Sequence, residues 1–339
     1  MIPKLRRALV TGADGFIGRH LVRELERYGV RVTGLTRRAR QDKRFIAMGS
    51  AAGWPIDCLA HILDMTDPDV VFHLAGGAAG SPAELEQLNL GLTRTLMAAL
   101  SRGQARPVLV CCGSAAEYGR AHIDGLPTPE TARCAPESAY GASKFAQTNE
   151  ALAFGEQSGA RVLVARIFNP IGPGMPPYLA IGEFARQIAA MPPHGGVLRT
   201  GNLAVSRDFI DVEDVASALH RLAAHPVARG VVNICSGKPT RLDGLVELLI
   251  TASGKPVHIE PDPARLRGQE RSSIFGDPTL LHHLVGALPP TDYRTVIARI
   301  WAHAQAALPE PALTTPASGH AGYGISKGTD MTGRCRRMS

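Results

Sequence analysis

The sequence predicts an α/β fold: a Rossmann-type, doubly wound parallel sheet with a smaller C-terminal substrate-binding region. In the first half of the chain, short apolar runs alternate with amphipathic helical segments. This alternation is typical of a parallel sheet with helices on both faces. A glycine-rich segment joins the first apolar run to the first helix. The chain has 339 residues, enough for two such regions.

The predicted elements follow in a regular order. Strands are predicted at residues 7–11, 30–35, 45–50, 69–74, 107–112, 162–167 and 231–235, and helices at 19–29, 84–101 and 138–157. We expect residues 1–169 to form the dinucleotide-binding domain, with later segments near 206–236 returning to it. Residues 170–308 would mainly bind substrate. Residues 309–339 are rich in Pro, Gly, Ser and Thr, which predicts a disordered tail.

Composition and charge exclude several classes of protein. No apolar stretch reaches 18 residues, which argues against a membrane span. The net charge of +7 suits an anionic ligand, but no run of five basic residues indicates nucleic-acid binding. No group of side chains has metal-ligand spacing, so no metal is expected.

Six cysteines without a CxxC pair indicate a reducing compartment. The chain enters a strand directly, without a signal-peptide pattern, so we expect a cytoplasmic protein.

The glycine-rich segment predicts a dinucleotide site. Gly12, Gly15 and Gly18 lie between the first strand and the first helix, with Phe16 and Ile17 between the last two glycines. Without a Cβ, glycine lets the backbone approach a pyrophosphate, and the helix N-terminus offers free N–H groups. The alternative is a tight turn that binds nothing.

The residues at the end of the second strand indicate whether NAD(H) or NADP(H) binds. An NAD-binding protein places a carboxylate there for the ribose 2′-hydroxyl. Here Thr36 is followed by Arg37 and Arg38, whose guanidinium groups suit a 2′-phosphate. We therefore expect NADP(H), with NAD(H) as the alternative if the arginines only face solvent.

Tyr140 and Lys144 are spaced to project from one face of a helix. A free phenol has a pKa of about 10, too high for efficient proton transfer at neutral pH. A cation about 4 Å away would lower this pKa by as much as about three units. The pair therefore predicts an acid/base centre, and the alternative is an ordinary helix surface.

Together, these motifs resemble the extended short-chain dehydrogenase/reductases, or epimerase/dehydratase family, over about residues 6–305. The motifs are G-x-x-G-x-x-G at 12–18, H-L-A-G at 73–76, G-S-A-A-E-Y-G at 113–119 and Y-x-x-x-K at 140–144. The resemblance implies that Ser114 binds the substrate oxygen, that Tyr140 is the acid/base, and that Lys144 binds the nicotinamide ribose and tunes Tyr140. It adds five residues to the cofactor site: Leu74, Ala75, Gly76, Asn89 and Ile167.

The second half resembles the nucleotide-sugar branch of this family, through R-I-F-N-P-I-G-P-G at 166–174 and R-D-F-I-D-V-E-D at 207–214. The resemblance implies a nucleotide-diphosphate sugar substrate, contacted by Ser114, Ala115, Glu117, Asn169, Arg207 and Arg267. It also implies a homodimer that pairs the helices near 84–101 and 138–157 in a four-helix interface.

The most similar group within the family uses NADPH to reduce the C4 ketone of a nucleotide-linked 4-keto-6-deoxyhexose, GDP-4-keto-6-deoxy-mannose. The main alternative is a nucleotide-sugar 4-epimerase acting on a UDP- or GDP-hexose, which needs only the Ser, Tyr and Lys. A 4,6-dehydratase would need acidic residues where Ala115 and Ala116 stand. A non-catalytic NADP-binding protein is the remaining alternative, although such proteins usually lose the tyrosine or lysine that this chain retains.

Overall fold

A computed structural model describes residues 5–49, 53–265 and 271–307 of the chain. The predicted substrate contact Arg267 and the predicted tail at 309–339 lie outside the described residues.

The strands are β1 (Arg7–Thr11), β2 (Arg31–Thr36), β3 (Phe45–Ala47), β4 (Val70–His73), β5 (Val108–Ser114), β6 (Pro127–Thr128), β7 (Val162–Ile167), β8 (Asn169–Ile171), β9 (Gly196–Thr200), β10 (Ser206–Asp211), β11 (Gly230–Ile234), β12 (Pro239–Arg241), β13 (Val257–Pro261) and β14 (Ser273–Gly276). The helices are α1 (Phe16–Arg27), α2 (Ile56–Thr66), α3 (Pro82–Glu86), α4 (Leu92–Arg102), α5 (Ala139–Ser158), α6 (Ala180–Ala190), α7 (Val212–Ala224), α8 (Leu242–Ser253), α9 (Thr279–Val285) and α10 (Tyr293–Ala306). Within the described residues, no helix is both long and apolar enough to cross a membrane.

Seven strands form one parallel sheet in the order β11-β7-β5-β4-β1-β2-β3. The register pairs Thr11 of β1 with Leu35 on one side and with His73 on the other, and His73 pairs with Cys111 of β5. The carboxyl ends of these strands therefore meet at one edge, where doubly wound sheets bind ligands. This architecture confirms the predicted fold class.

Apolar side chains cover both faces of this sheet because parallel strands are buried on both sides. On one face, Val10 and Phe72 pack with Leu21 and Leu25 of α1 and with Leu219 of α7. The opposite face carries Leu9, Val71 and Leu109, which pack against α2, α4 and α5. The helices on the two faces fix the carboxyl edge as a rigid platform.

A second lobe covers this edge. It contains a sheet in the order β12-β10-β14-β6, with β8 paired to β10, and a separate β9–β13 pair. Helices α6, α8 and α10 enclose its own core, which includes Phe184, Leu249 and Trp301. Between the lobes the chain crosses more than once, because β11 follows β10 and α7 yet returns to the first sheet beside β7.

The predicted helix at 84–101 is helical over its whole length, and the structure adds a π-helical turn within it. It consists of α3, a π-helical turn over Gln87–Gly91, and α4. The π-helical turn contains Asn89, whose amide bonds the backbone of Gly77 in both directions at 3.0 Å. Contacts with residues outside the helix thus stabilise the wider turn. The spacing of apolar residues in the sequence does not predict such contacts.

Candidate active site

The glycine loop closes tightly between β1 and α1. Gly12 has φ +67°, and a Cβ there would lie 2.9 Å from the Ala75 nitrogen. A Cβ on Gly18 would lie only 2.1 Å from the Gly12 carbonyl oxygen. Because both positions exclude a side chain, the N-terminus of α1 can approach a ligand closely. The loop therefore fits a dinucleotide pyrophosphate at the residues that the sequence predicts.

The segment after β4 forms the next wall. The Ala75 N–H donates to Thr11 Oγ1 at 3.1 Å, which fixes the chain beside the glycine loop. Asn89 is 1% exposed, and its Nδ2 donates to Ser143 Oγ on α5 at 2.9 Å. These contacts join the glycine loop, the 74–77 segment and the helix that carries the predicted acid/base pair.

Ser114 ends β5 at the same edge and begins a short 3-10 turn over Ala115–Glu117. Its Oγ accepts the Ala116 N–H at 3.2 Å, and its own N–H donates to Glu117 Oε1 at 2.7 Å. This reciprocal arrangement is a capping box, and it fixes Ser114 at the carboxyl end of the sheet.

Glu117 is fully buried. Besides the Ser114 N–H, its carboxylate accepts Thr148 Oγ1 at 2.8 Å and Arg166 Nε at 2.9 Å. The Arg166 guanidinium also lies 4.7 Å from the centre of the Tyr118 ring. Glu117 therefore supports the Ser114 turn from within the protein, and the sequence expectation that it contacts substrate gains no support from this placement.

Tyr140 and Lys144 lie in the first turns of α5, which Ser138 caps by accepting the Gly141 N–H at 3.0 Å. Tyr140 is half-buried and hydrogen-bonds Ser114, so these two predicted catalytic side chains are in contact. Lys144 is 5% exposed, and its ammonium donates to Gln147 Oε1.

The expected lowering of the Tyr140 pKa is wrong for the chain's own residues. The pKa of Tyr140 is raised to about 12, mainly by burial and also by Cys112 and Glu117, while the Ser114 hydrogen bond acts to lower it. Desolvation of the phenolate is the largest cause of this shift. At neutral pH the phenol is therefore protonated and able to donate a proton.

Arg37 and Arg38 follow β2 directly and are both exposed. The Thr36 hydroxyl, itself buried, donates to the Arg38 carbonyl oxygen at 2.8 Å, which fixes the turn that carries them. Two cations at the outer end of β2, with no carboxylate between them, fit a ribose 2′-phosphate. Phe16, Ile17 and Leu74 are partly buried around the loop, whereas Ile167 is 4% exposed within the core.

The predicted substrate contacts Asn169 and Arg207 lie on β8 and β10 of the second lobe. Asn169 Nδ2 donates to the Asp208 carbonyl oxygen at 2.9 Å, joining β8 to β10. Arg207 Nη1 donates to the carbonyl oxygens of Ser206 and Arg271, at 2.8 and 3.1 Å. Both residues thus make structural contacts of their own, and their predicted contact with substrate stays a prediction.

Sequence reasoning missed the contacts that tie the lobes together. Arg19 Nη2 of α1 donates to the Gly174 carbonyl oxygen at 2.6 Å, and His20 Nε2 lies 3.1 Å from the Pro173 carbonyl oxygen. A Cβ on Gly174 would lie 2.7 Å from Arg19 Nη1. The G-P-G motif therefore packs against the first turns of the helix that follows the glycine loop, a pairing that local patterns cannot reveal.

Known proteins share this sequence and fold. GDP-6-deoxy-D-mannose reductase of Pseudomonas aeruginosa is 33% identical over 302 residues, which cover 84% of this chain and 92% of that protein. The dTDP-6-deoxy-L-talose 4-dehydrogenase (NAD(P)(+)) of Kitasatospora kifunensis is 32% identical, covering 87% and 94%. The solved structure of RMD from Pseudomonas aeruginosa complexed with NADPH superposes with a TM-score of 0.75 at 31% identity, covering 89% of this chain and all of that one.

The sequence profile of one family matches residues 8–235, which include the glycine loop, Ser114, Tyr140 and Lys144. The match spans about two thirds of the chain and agrees with the relatives above. The chain therefore belongs to the NAD dependent epimerase/dehydratase family.

Proposed function

We propose that this protein is an NADPH-dependent reductase of the C4 ketone in a GDP-linked 4-keto-6-deoxyhexose. The observation that carries the proposal is the hydrogen bond between Tyr140 and Ser114 at the carboxyl edge of the sheet, with Lys144 one turn after Tyr140 on α5. The similarity to a GDP-6-deoxy-D-mannose reductase and to an NADPH-bound structure supports the substrate and the cofactor.

In this proposal, the chain holds the cofactor with the glycine loop and the 2′-phosphate with Arg37 and Arg38. When bound, NADPH supplies the hydride. Ser114 donates a hydrogen bond to the ketone oxygen, and Tyr140 transfers its proton to that oxygen as the alcohol forms. The raised pKa of Tyr140 supports reduction, because the phenol already carries the proton that it must donate.

A nucleotide-sugar 4-epimerase is the second candidate, because it uses the same three side chains. It must first oxidise the substrate alcohol, so Tyr140 would have to accept a proton. The basic end of β2, which suits NADP(H), favours the reductase. This chain lacks the acidic pair that a 4,6-dehydratase needs, since Ala115 and Ala116 occupy those positions.

The deciding experiment measures NADPH oxidation by absorbance with GDP-4-keto-6-deoxy-mannose, beside NADH and beside a dTDP- or UDP-linked 4-keto sugar. We expect one NADPH to be consumed for each GDP-sugar reduced, and slower turnover with NADH. Interconversion of a UDP- or GDP-hexose with its C4 epimer, without net oxidation, would instead identify the epimerase.

We further infer a homodimer in a reducing, cytoplasmic environment. Helices α4 and α5 lie side by side, linked on their exposed surface by an Arg94–Glu150 ion pair of 3.0 Å, and such a pair of helices can form half of a four-helix interface. The five cysteines among the described residues form no disulfide bond, which supports a reducing compartment. Light scattering after size exclusion tests the dimer, which should have twice the mass of the 36.0 kDa chain.

A further inference from the structure

A series of buried hydrogen bonds lies behind Lys144. Its members are nearly inaccessible to solvent: Lys144 is 5% exposed, Gln147 1%, and Thr93, His73 and Thr11 are each 0%. They come from β1, β4, α4 and α5. Buried polar groups must pair with one another, so the direction of each hydrogen bond is constrained.

The Lys144 end of the series sets the orientation of the Gln147 amide. An ammonium can only donate, so the atom that faces it is Gln147 Oε1. The amide nitrogen then donates to Thr93 Oγ1 at 2.9 Å. Thr93 gives its single hydroxyl proton to the Asn89 carbonyl oxygen at 2.7 Å, so its oxygen is the acceptor for Gln147.

His73 maintains the same orientation from the other side. Burial and the charge of Lys144 lower its pKa to about 3, so the imidazole is neutral. Its Nε2 therefore donates to Thr93 Oγ1 at 2.9 Å, and its Nδ1 accepts from Thr11 Oγ1 at 2.9 Å. Thr11 in turn accepts the Ala75 N–H at 3.1 Å. The direction of every hydrogen bond in the series is therefore fixed. A reversed Gln147 amide would lose its hydrogen bonds with Lys144 and with Thr93.

We propose that Gln147 is a positioning residue, whose neutral side-chain oxygen holds the Lys144 ammonium in the cofactor cleft without cancelling its charge. The inference rests on the proposed function in one respect, because it assigns Lys144 to the cofactor. Through Thr93 and His73, the same amide is anchored to Thr11, which directly precedes the glycine loop. The position of the Lys144 charge is thereby tied to the wall that binds the pyrophosphate.

The test measures NADPH affinity by fluorescence titration, with no sugar present. Gln147→Met keeps the volume of the side chain but removes the acceptor, so we expect NADPH to bind about tenfold more weakly. Thr93→Val releases the amide and should weaken binding in the same direction. Gln187→Met is the matched control, because Gln187 Nε2 bonds only Glu183 among the described partners, on the distant helix α6. It should leave the affinity unchanged.

A double-mutant cycle separates positioning from packing. If Gln147 acts through Lys144, then Gln147→Met should cause no further loss of affinity in a Lys144→Met background. Gln147→Glu keeps an acceptor for the ammonium but cancels its charge and removes the donor to Thr93, so it should bind NADPH as weakly as Gln147→Met. Thermal unfolding identifies any variant that does not fold, and Thr93→Val then provides the measurement.

Additive losses in the cycle, or unchanged affinity in both Gln147→Met and Thr93→Val, would overturn the inference. These outcomes differ from a failure of the proposed function. In that case the parent protein would bind no NADPH, or would bind it without reducing any 4-keto sugar.

Discussion

At the residue scale, Tyr140 is the side chain on which the proposed chemistry depends most. Replacing it with Phe removes the proton donor and leaves the shape of the cleft intact. We expect Tyr140→Phe to lower kcat by about 10²–10⁴-fold while the Kd for NADPH changes by less than about twofold. Stopped-flow turnover and fluorescence titration measure the two quantities. Tyr28→Phe is the control, since Tyr28 is 53% exposed at the end of α1. Near-normal turnover in Tyr140→Phe would remove this residue from the mechanism.

Arg37 and Arg38 carry the predicted choice of cofactor. Each Arg→Ala change removes a charge-assisted hydrogen bond to the 2′-phosphate, so the KM for NADPH should rise about tenfold or more. The KM for NADH should change little, because NADH lacks that phosphate. Arg186→Ala is the control, since Arg186 is exposed on α6 and bonds Glu183. An equal loss with both cofactors would show that the two arginines stabilise the loop and do not recognise the phosphate.

The sequence could predict individual residues where chemistry depends on short spacing. The glycine loop and the Tyr140–Lys144 pair lie within single segments, so their relation is visible in the chain. Gln147 is also near Lys144, but its role depends on Thr93 and His73 from other elements. The raised pKa of Tyr140 was missed for the same reason, because desolvation depends on the surrounding fold.

At the element scale, the turn after β5 depends on the buried Glu117–Arg166 pair. Glu117→Gln leaves the buried guanidinium without its counter-charge, which should lower the free energy of unfolding by about 3 kcal/mol. Urea denaturation measures this change. Glu137→Gln is the matched control, because the Glu137 side chain is 42% exposed and its ion pair with Arg271 is at the surface. That change should lower the free energy of unfolding far less than Glu117→Gln does. Equal costs would contradict the structural role given to Glu117.

Most strands of the first sheet were predictable because each contains a short run of apolar residues. The predicted strands at 7–11 and 162–167 coincide with β1 and β7. In the second lobe, β6, β8 and β12 have only two or three residues each. Such strands exist because distant partners pair with them, and no local pattern specifies those partners.

At the scale of the whole molecule, buried polar contacts join the Ser114 turn to the second lobe. The buried histidine His122 makes two of these contacts. His122 is 7% exposed, and its ring contacts Thr128 Oγ1 at 2.7 Å and the Ala115 carbonyl oxygen at 3.3 Å. Its pKa is lowered from 6.5 to about 4, mainly by burial and also by Arg271 and Arg207, while the hydrogen bond with the Ala115 carbonyl oxygen and the charge of Glu137 act to raise it. The unfolded chain therefore binds a proton more readily than the folded protein between these two pH values.

This difference predicts acid sensitivity with a definite sign. As pH falls from about 6.5 toward 4, the unfolded state takes up more protons at His122, so the free energy of unfolding decreases. The contribution of His122 between pH 7 and 5 is about 2 kcal/mol. Asp214, whose pKa burial raises to about 6, acts in the opposite direction, so total stability is not a clean measure.

The measurement therefore compares His122→Asn with the parent by urea denaturation at pH 7 and at pH 5. The parent should lose about 2 kcal/mol more than the variant over this interval, because Asn cannot take up the proton. His194→Asn, at an exposed position between α6 and β9, should follow the parent at both pH values. The free energies of unfolding of His122→Asn and the parent could instead differ by the same amount at pH 7 and at pH 5. That result would mean that His122 takes up its proton equally in the folded and unfolded states. The contacts of His122 with the Ser114 turn and the second lobe would then not depend on a neutral ring.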